Sequence, residues 1–395
     1  MTAQNLIANS VKAFQKGRYA EAATEISLAV ENAQKEKDDK TLALALVEQG
    51  RVFNRQARYD EARVAAERAC ELTKSCFGDD SAEYGAALTV LGQNLMCRDE
   101  FIQAEETLKQ SLNLRRNKKG ADSTDVAETL DALGTLYCLD NKYAEAEPYI
   151  SQALGVREKL LGQNDPEYGR SLAALAQLNN LKKNHTVAEV LFRRAFSVQE
   201  SGLGPSHPEV ALTMHDSASE KLARAEFKDA IKDWKAALPV LETSFPEGHP
   251  AVIAALTGYA SALFYNGNLS RAQEHFERGM KFAERDEKAN RSNILAASIG
   301  LGMCYVQLHK YPDAEPFFER AKKLVTEAEK SHTERRLLNS LFNCYLLQGK
   351  FAKAISIMPD QVRAENESTL TTYADMVSNV VDLAKHIPWP GDKEK

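Results

Sequence analysis

The chain has 395 residues and a formal net charge of −6. Charged residues make up 27% and hydrophobic ones 44%, which excludes a disordered acidic tail and a membrane protein. Glycine plus proline come to about 8% against an average near 12%, so turns are few and a mostly helical chain is expected.

The mild charge leaves no electrostatic footprint for nucleic acid or a membrane surface. The opening MTAQNLIANSVKAFQKGRY has no basic segment followed by an apolar one, so no secretory leader is expected. Six cysteines are too sparse for a disulfide framework, and cytoplasmic residence with free thiols is the expectation.

A repeat then runs along the chain. It reads KGRYAEAA (16–23), QARYDEAR (56–63), DEFIQAEE (99–106), NKYAEAEP (141–148) and NHTVAEVL (184–191), then AEFKDAIK (225–232), GNLSRAQE (267–274), HKYPDAEP (309–316) and GKFAKAIS (349–356). Tyr19, Tyr59, Phe101, Tyr143, His185, Phe227, Leu269, Tyr311 and Phe351 stand 40 or 42 residues apart. An alanine follows each of them by three residues, from Ala22 to Ala354.

Each unit reads as two helices. With the aromatic residue as position 17, position 8 is small: Ser10, Gly50, Gly92, Gly134, Ala176, Ala218, Ala260 and Gly302, with Phe342 breaking the rule. Position 24 is mostly large, as in Ile26, Leu108, Ile150, Phe192, Trp234, Phe276, Phe318 and Met358. Large side chains opposite small ones interlock an antiparallel helix pair.

The links repeat too. Gly78, Gly120, Gly162 and Gly204 suit helix C-caps. Asp80, Asp122, Asn164 and Ser206 follow as expected N-caps, each with an acid three residues on: Glu83, Asp125, Glu167 and Glu209. Pro166, Pro208 and Pro250 fall in the first turn. Residues 1–358 are thus expected to hold nine tandem repeats. Residues 359–387 read as a linker and capping helix, with Leu370, Tyr373, Val377, Val380, Val381, Ala384 and Ile387 on one face. Residues 388–395 read as a flexible tail, in which Trp389 either packs on the cap or acts as a short linear motif.

The pattern L-G-x-x-Y-x-x-x-x-x-Y-x-x-A, closest at LGTLYCLDNKYAEA (133–146), resembles the tetratricopeptide repeat. The 42-residue spacing and the links LLGQNDPEYG (160–169) and LGPSHPEVA (203–211) resemble its kinesin light chain variety. The resemblance implies an all-α, right-handed α-solenoid of about nine helix-turn-helix units, closed by a C-terminal capping helix. A kinesin light chain also carries a coiled coil before its repeats and cargo-holding asparagines. Here the first repeat starts close to Met1. The second of those asparagines is replaced by Glu48, Val90, Ala132, Ala174, Asp216, Gly258, Gly300 and Ser340, so kinesin-type cargo recognition is not expected.

The resemblance implies that first helices line a concave face, and the helical wheel turns positions 2, 5, 6, 9, 12 and 13 away from the core. Candidate partner-binding residues there are Arg51, Arg55, Gln93, Gln177, Asn180, His215, Asp216, Phe264, Tyr265, Met303, Gln307 and Asn343. Phe264, Tyr265 and Met303 read as an apolar landing site, or as packing between neighbouring first helices, with Gln177 and Asn180 as amides for a peptide backbone. The cationic clamp for C-terminal carboxylates is missing: Glu128/Ala132, Arg170/Ala174, Leu212/Asp216 and Ala254/Gly258 occupy its positions.

No phosphate loop, dinucleotide fingerprint, H-E-x-x-H or nucleophile elbow occurs. His207 and His249, each before a proline, read as structural residues at helix starts. No catalytic residue, cofactor or metal is expected. The expected function is a non-enzymatic scaffold or adaptor binding a peptide or protein segment on the concave face, with no nucleic acid or membrane partner. The alternative is a regulatory or self-assembling homo-oligomeric scaffold using outer faces and termini.

Overall fold

The computed structural model describes residues 1–287, 290–325 and 333–357. The expected capping helix and the Trp389 tail lie outside the described residues, as does Met358. The described residues are all-α, with no strand among them, and the helices follow as consecutive helix-turn-helix pairs. In order they are α1 (Ala3–Gln15), α2 (Tyr19–Glu36), α3 (Asp39–Arg55), α4 (Tyr59–Phe77), α5 (Ala82–Cys97) and α6 (Phe101–Lys119). Next come α7 (Thr124–Leu139), α8 (Tyr143–Leu161), α9 (Pro166–Leu181), α10 (His185–Leu203), α11 (Pro208–Ala223) and α12 (Phe227–Ser244). The last are α13 (Pro250–Tyr265), α14 (Leu269–Ala283), α15 (Arg291–Gln307), α16 (Tyr311–Leu324), α17 (Thr333–Leu347) and α18 (Phe351–Ser356). The chain divides into two compact units, Met1–Gly258 and Tyr259 onward.

The small and large positions mesh. A Cβ on Gly92 would sit 2.6 Å from Leu108, one on Gly134 2.4 Å from Ile150, and one on Gly302 2.6 Å from Phe318. A Cβ there would force the opposing side chain to shift, so position 24 of the second helix seats on position 8 of the first. The larger residues also reach the next unit. Trp234 packs on Gly258 and Phe276 on Gly300, both at position 6. Position 6 therefore belongs to the core at these two sites, where the wheel turned it outward.

Gly78, Gly120, Gly162 and Gly204 do cap α4, α6, α8 and α10 with φ between 82° and 99°. The N-caps fall one residue later than expected, at Ser81, Ser123, Asp165 and His207, each accepting a backbone N–H of the first turn. Within every pair the residue two before the second helix is left-handed. It is glycine at Gly17, Gly267 and Gly349, but Ala57, Asp99, Asn141, Lys183, Ala225 and His309 hold it elsewhere.

Met1–Gly258 closes back on itself. His207 Nε2 meets the Gln15 carbonyl at 3.1 Å, and His249 Nε2 meets the Arg55 carbonyl at 3.1 Å. Each imidazole also accepts the N–H two residues on through Nδ1, at Glu209 (3.2 Å) and Ala251 (3.1 Å). That assigns the proton to Nε2, which donates to the carbonyl. Tyr19 stacks on Phe245 at 5.4 Å and Phe245 on His249 at 4.2 Å, while the Arg55 guanidinium lies 5.3 Å from the Tyr19 ring centre. Gly17 lies so close to Pro208 that a Cβ there would be 2.3 Å from its Cδ. The loop of the first pair thus meets the start of the sixth, and that of the second meets the start of the seventh.

This latch needs both imidazoles neutral. Burial lowers the His207 pKa, and burial together with the Arg55 charge lowers that of His249 to about 4. Depressed histidine values mean that the unfolded chain binds more protons below pH 6.5, so the latch's contribution is complete above that pH and fades as pH falls toward 4. Hydrogen exchange at residues 14–19 and 245–249 should therefore show lost protection between pH 6.5 and 4.5, beyond the intrinsic pH effect. The variant His249→Asn keeps an oxygen acceptor for the Ala251 N–H and should lose most of that dependence around 245–249.

Candidate functional site

The inner side of Met1–Gly258 carries two adjoining, solvent-open cavities of about 500 and 450 Å³. They share Phe14, Arg51, Glu128, Arg157, Arg170, Gln199 and Glu209 in their walls. The lining of the second comes largely from α3, α5, α7, α9 and α11, the first helices of successive pairs. It includes the candidates Arg51, Arg55, Gln93, Gln177 and Asp216.

The arginines there are not free for a ligand. Arg51 pairs with Glu48 at 2.9 Å and Glu128 at 3.3 Å, and Arg55 with Glu209. Arg170 pairs with Glu167 at 2.8 Å and reaches Glu209 at 3.8 Å. Behind them, Arg115 binds Glu128 at 3.0 Å, and Arg157 binds Asp131 and lies 3.6 Å from Glu167. Burial alone would raise the Glu128 pKa, but the Arg51, Arg115 and Arg170 charges outweigh it and hold it at about 2. At Asp131 burial wins over Arg157 and the pKa is raised. Five arginines thus answer five carboxylates: Glu48, Glu128, Asp131, Glu167 and Glu209.

Sequence reasoning missed Arg115, Arg157 and Gln199. All three stand at position 31, at the end of a second helix, 42 residues apart. Each bonds a hydroxyl at position 3 of the next unit. Arg115 donates to Thr129 Oγ1 at 3.0 Å, Arg157 to Ser171 Oγ at 2.5 Å, and Thr213 donates to Gln199 Oε1 at 2.6 Å. That paired polar register was the available signal.

Other candidates lie elsewhere. His215 turns from the cavity to Trp234, whose Nε1–H donates to its Nδ1 at 2.9 Å, and burial lowers its pKa to about 4. Asn180 is half-buried on α9 outside the cavity walls, and Gln307 and Asn343 are exposed on α15 and α17. In the second unit, Phe264, Tyr265 and Met303 come together. With Phe276, Ile299 and Leu337 they line a cavity of about 420 Å³ whose polar lining includes Ser261, Asn339 and Ser340. Tyr265 is 45% exposed there.

Among the described residues no helix is long and apolar enough to cross a membrane, and no group of three or more histidine, cysteine or acidic side chains could hold a metal.

Residues 83–159 and 125–201 match the tetratricopeptide repeat family. The chain carries tetratricopeptide repeats, and the same helix pairing runs from α1 to α18. Among solved structures, the Rap protein complexed with competence and sporulation factor shares the fold. It is 15% identical with a TM-score of 0.58, over 89% of this chain and 99% of that one. Yeast Tom70 is 19% identical over 88% of this chain and 64% of its own, with a TM-score of 0.48. Nearly identical repeats of a kinesin light chain-like protein from Podosopora anserina are 18% identical over 53% of this chain and 99% of theirs, at 0.43. No curated protein matches the sequence at a significant level.

Proposed function

We propose that the chain is a non-enzymatic, cytoplasmic adaptor that holds a segment of a partner protein against its first-helix faces. The observation that carries this reading is the apolar cavity of the second unit. Its walls come from three successive first helices, α13, α15 and α17, with Phe276 of α14 as part of the lining. In the first unit the arginines and acids of the wall are spent on one another, and a partner that displaced them would strand desolvated charge. In the second it would meet Phe264, Tyr265, Ile299 and Met303, and burying an apolar anchor there contributes roughly 25 cal/mol per Å². Asn339 in the lining supplies an amide for the backbone of an extended segment.

The test is affinity capture with quantitative mass spectrometry, using the wild type and a Tyr265→Ala/Met303→Glu variant as baits. The variant should keep its helical circular dichroism and lose its specific partners at least tenfold. Capture of the same partners by both baits would sink this reading.

A further inference from the structure

Asp216 is the one acid of the first unit's second cavity that the arginine network leaves unanswered. It projects from α11 into the cavity wall and stays in partial contact with the space inside. Among the described residues it has no hydrogen bond and no ion pair. The charged groups that share this cavity are committed. Arg55 of α3 and Arg170 of α9 both reach Glu209 of α11, Arg51 of α3 reaches Glu128 of α7, and Arg157 of α8 reaches Asp131 of α7. Besides these paired charges, the same cavity is lined by Met96, Ala132, Ala173, Ala174 and Leu212, with Gln93 and Gln177 among its uncharged polar members.

A carboxylate without a counter-charge, in a cavity that also presents alanines and a leucine, has a definite complement. It is a cation on an aliphatic stem: the stem lies on the alanines and Leu212, the head on the acid. The geometry points to this cavity as a receptor for one alkyl ammonium or guanidinium group, with Asp216 as its counter-ion. This site is separate from the apolar cavity of the second unit and does not rest on the function proposed from it.

The electrostatics of the cavity support the assignment. Burial without a compensating charge pushes the Asp216 pKa up to about 7. A folded-state value above that of the unfolded chain means this carboxyl costs stability as pH rises from about 4 to 7. A bound cation relieves the cost by stabilising the ionised form, so binding releases a proton near neutral pH. The isostere Asp216→Asn removes the unpaired charge and should fold at least as well as wild type at pH 8, which makes it a clean control.

The experiment is isothermal titration of the full chain with Ac-Ala-Arg-Ala-NH2, Ac-Ala-Lys-Ala-NH2, the neutral Ac-Ala-norleucine-Ala-NH2 and n-butylguanidinium. It is run at pH 7 in two buffers of different ionisation enthalpy. The cationic probes should bind at least tenfold more tightly than the norleucine peptide, with a buffer-dependent enthalpy that reports proton release from the carboxyl. Asp216→Asn should lose that preference and the proton release together. Tripeptides binding more tightly than butylguanidinium would assign the ligand to a peptide side chain, and equal binding to a small free cation; either supports the site. Failure of every cationic probe to bind wild type, or equal binding and proton release in Asp216→Asn, overturns it.

Discussion

Replacing Trp234 with alanine is expected to cost about 3–5 kcal/mol of stability, measured by urea denaturation followed by circular dichroism. Trp234 is 0% exposed and fills the space over Gly258, where a Cβ would stand 2.5 Å from its ring. Its indole N–H is satisfied by His215 Nδ1 at 2.9 Å. Alanine removes the ring, leaves a cavity between two repeats and strips His215 of its donor. Trp234→Phe should cost less, because most of the volume stays while the hydrogen bond, worth about 1 kcal/mol, goes. The same contact predicts non-additivity. Gly258→Ala should be strongly destabilising beside tryptophan and much less so beside Trp234→Leu, since the clash is with the indole. A Trp234→Ala cost below 1 kcal/mol, or strictly additive effects in that cycle, would show that this interlock does not hold the repeats.

What the sequence could reveal follows from how far each feature reaches along the chain. The helix pairs, the alanine at position 20 and the glycine C-caps are local, so Gly78, Gly120, Gly162 and Gly204 were readable in place. The N-caps slipped by one residue because the short turn after each glycine is set by backbone geometry. Ser81 closes it by donating its own N–H to the Gly78 carbonyl at 3.3 Å, and Asp80, one residue earlier, is left in the turn. The left-handed residue in each pair was hidden because Ala57, Lys183 and Ala225, whose residue types do not announce it, hold the place that Gly17 holds in the first pair. The latch was hidden for a different reason. His207 and His249 announced themselves by their spacing and prolines, but their acceptors on Gln15 and Arg55 lie over 190 residues away, and the curvature that brings them together is the sum of many small packing choices. The inner face was legible as a list of positions. Which of its charges were spent on one another was not, because Arg115 and Arg157 enter from second helices that the wheel assigned elsewhere.

Arg157→Met is expected to rival the tryptophan substitution, at about 3–5 kcal/mol, because it breaks a buried ion pair from one side. Arg157 is 3% exposed and binds Asp131, whose side chain is 17% exposed, as well as Ser171 Oγ at 2.5 Å. Methionine keeps much of the volume, so the cost is chiefly the uncompensated Asp131 carboxylate. Two consequences separate this from simple loss of packing. First, burial already raises the Asp131 pKa with Arg157 present. Without the arginine it rises further above its unfolded value, so the deficit is largest at pH 8 and shrinks as acid protonates Asp131. Second, Arg157→Met/Asp131→Asn should recover part of the loss at pH 8, because the asparagine removes the stranded charge. A deficit that is independent of pH, with no recovery in the double variant, would mean that Arg157 acts as a packed stem and that the five-arginine network contributes shape without electrostatics. The pH-dependent outcome would instead identify the inner wall of the first unit as a balanced ionic lattice, in which a single unanswered acid stands out.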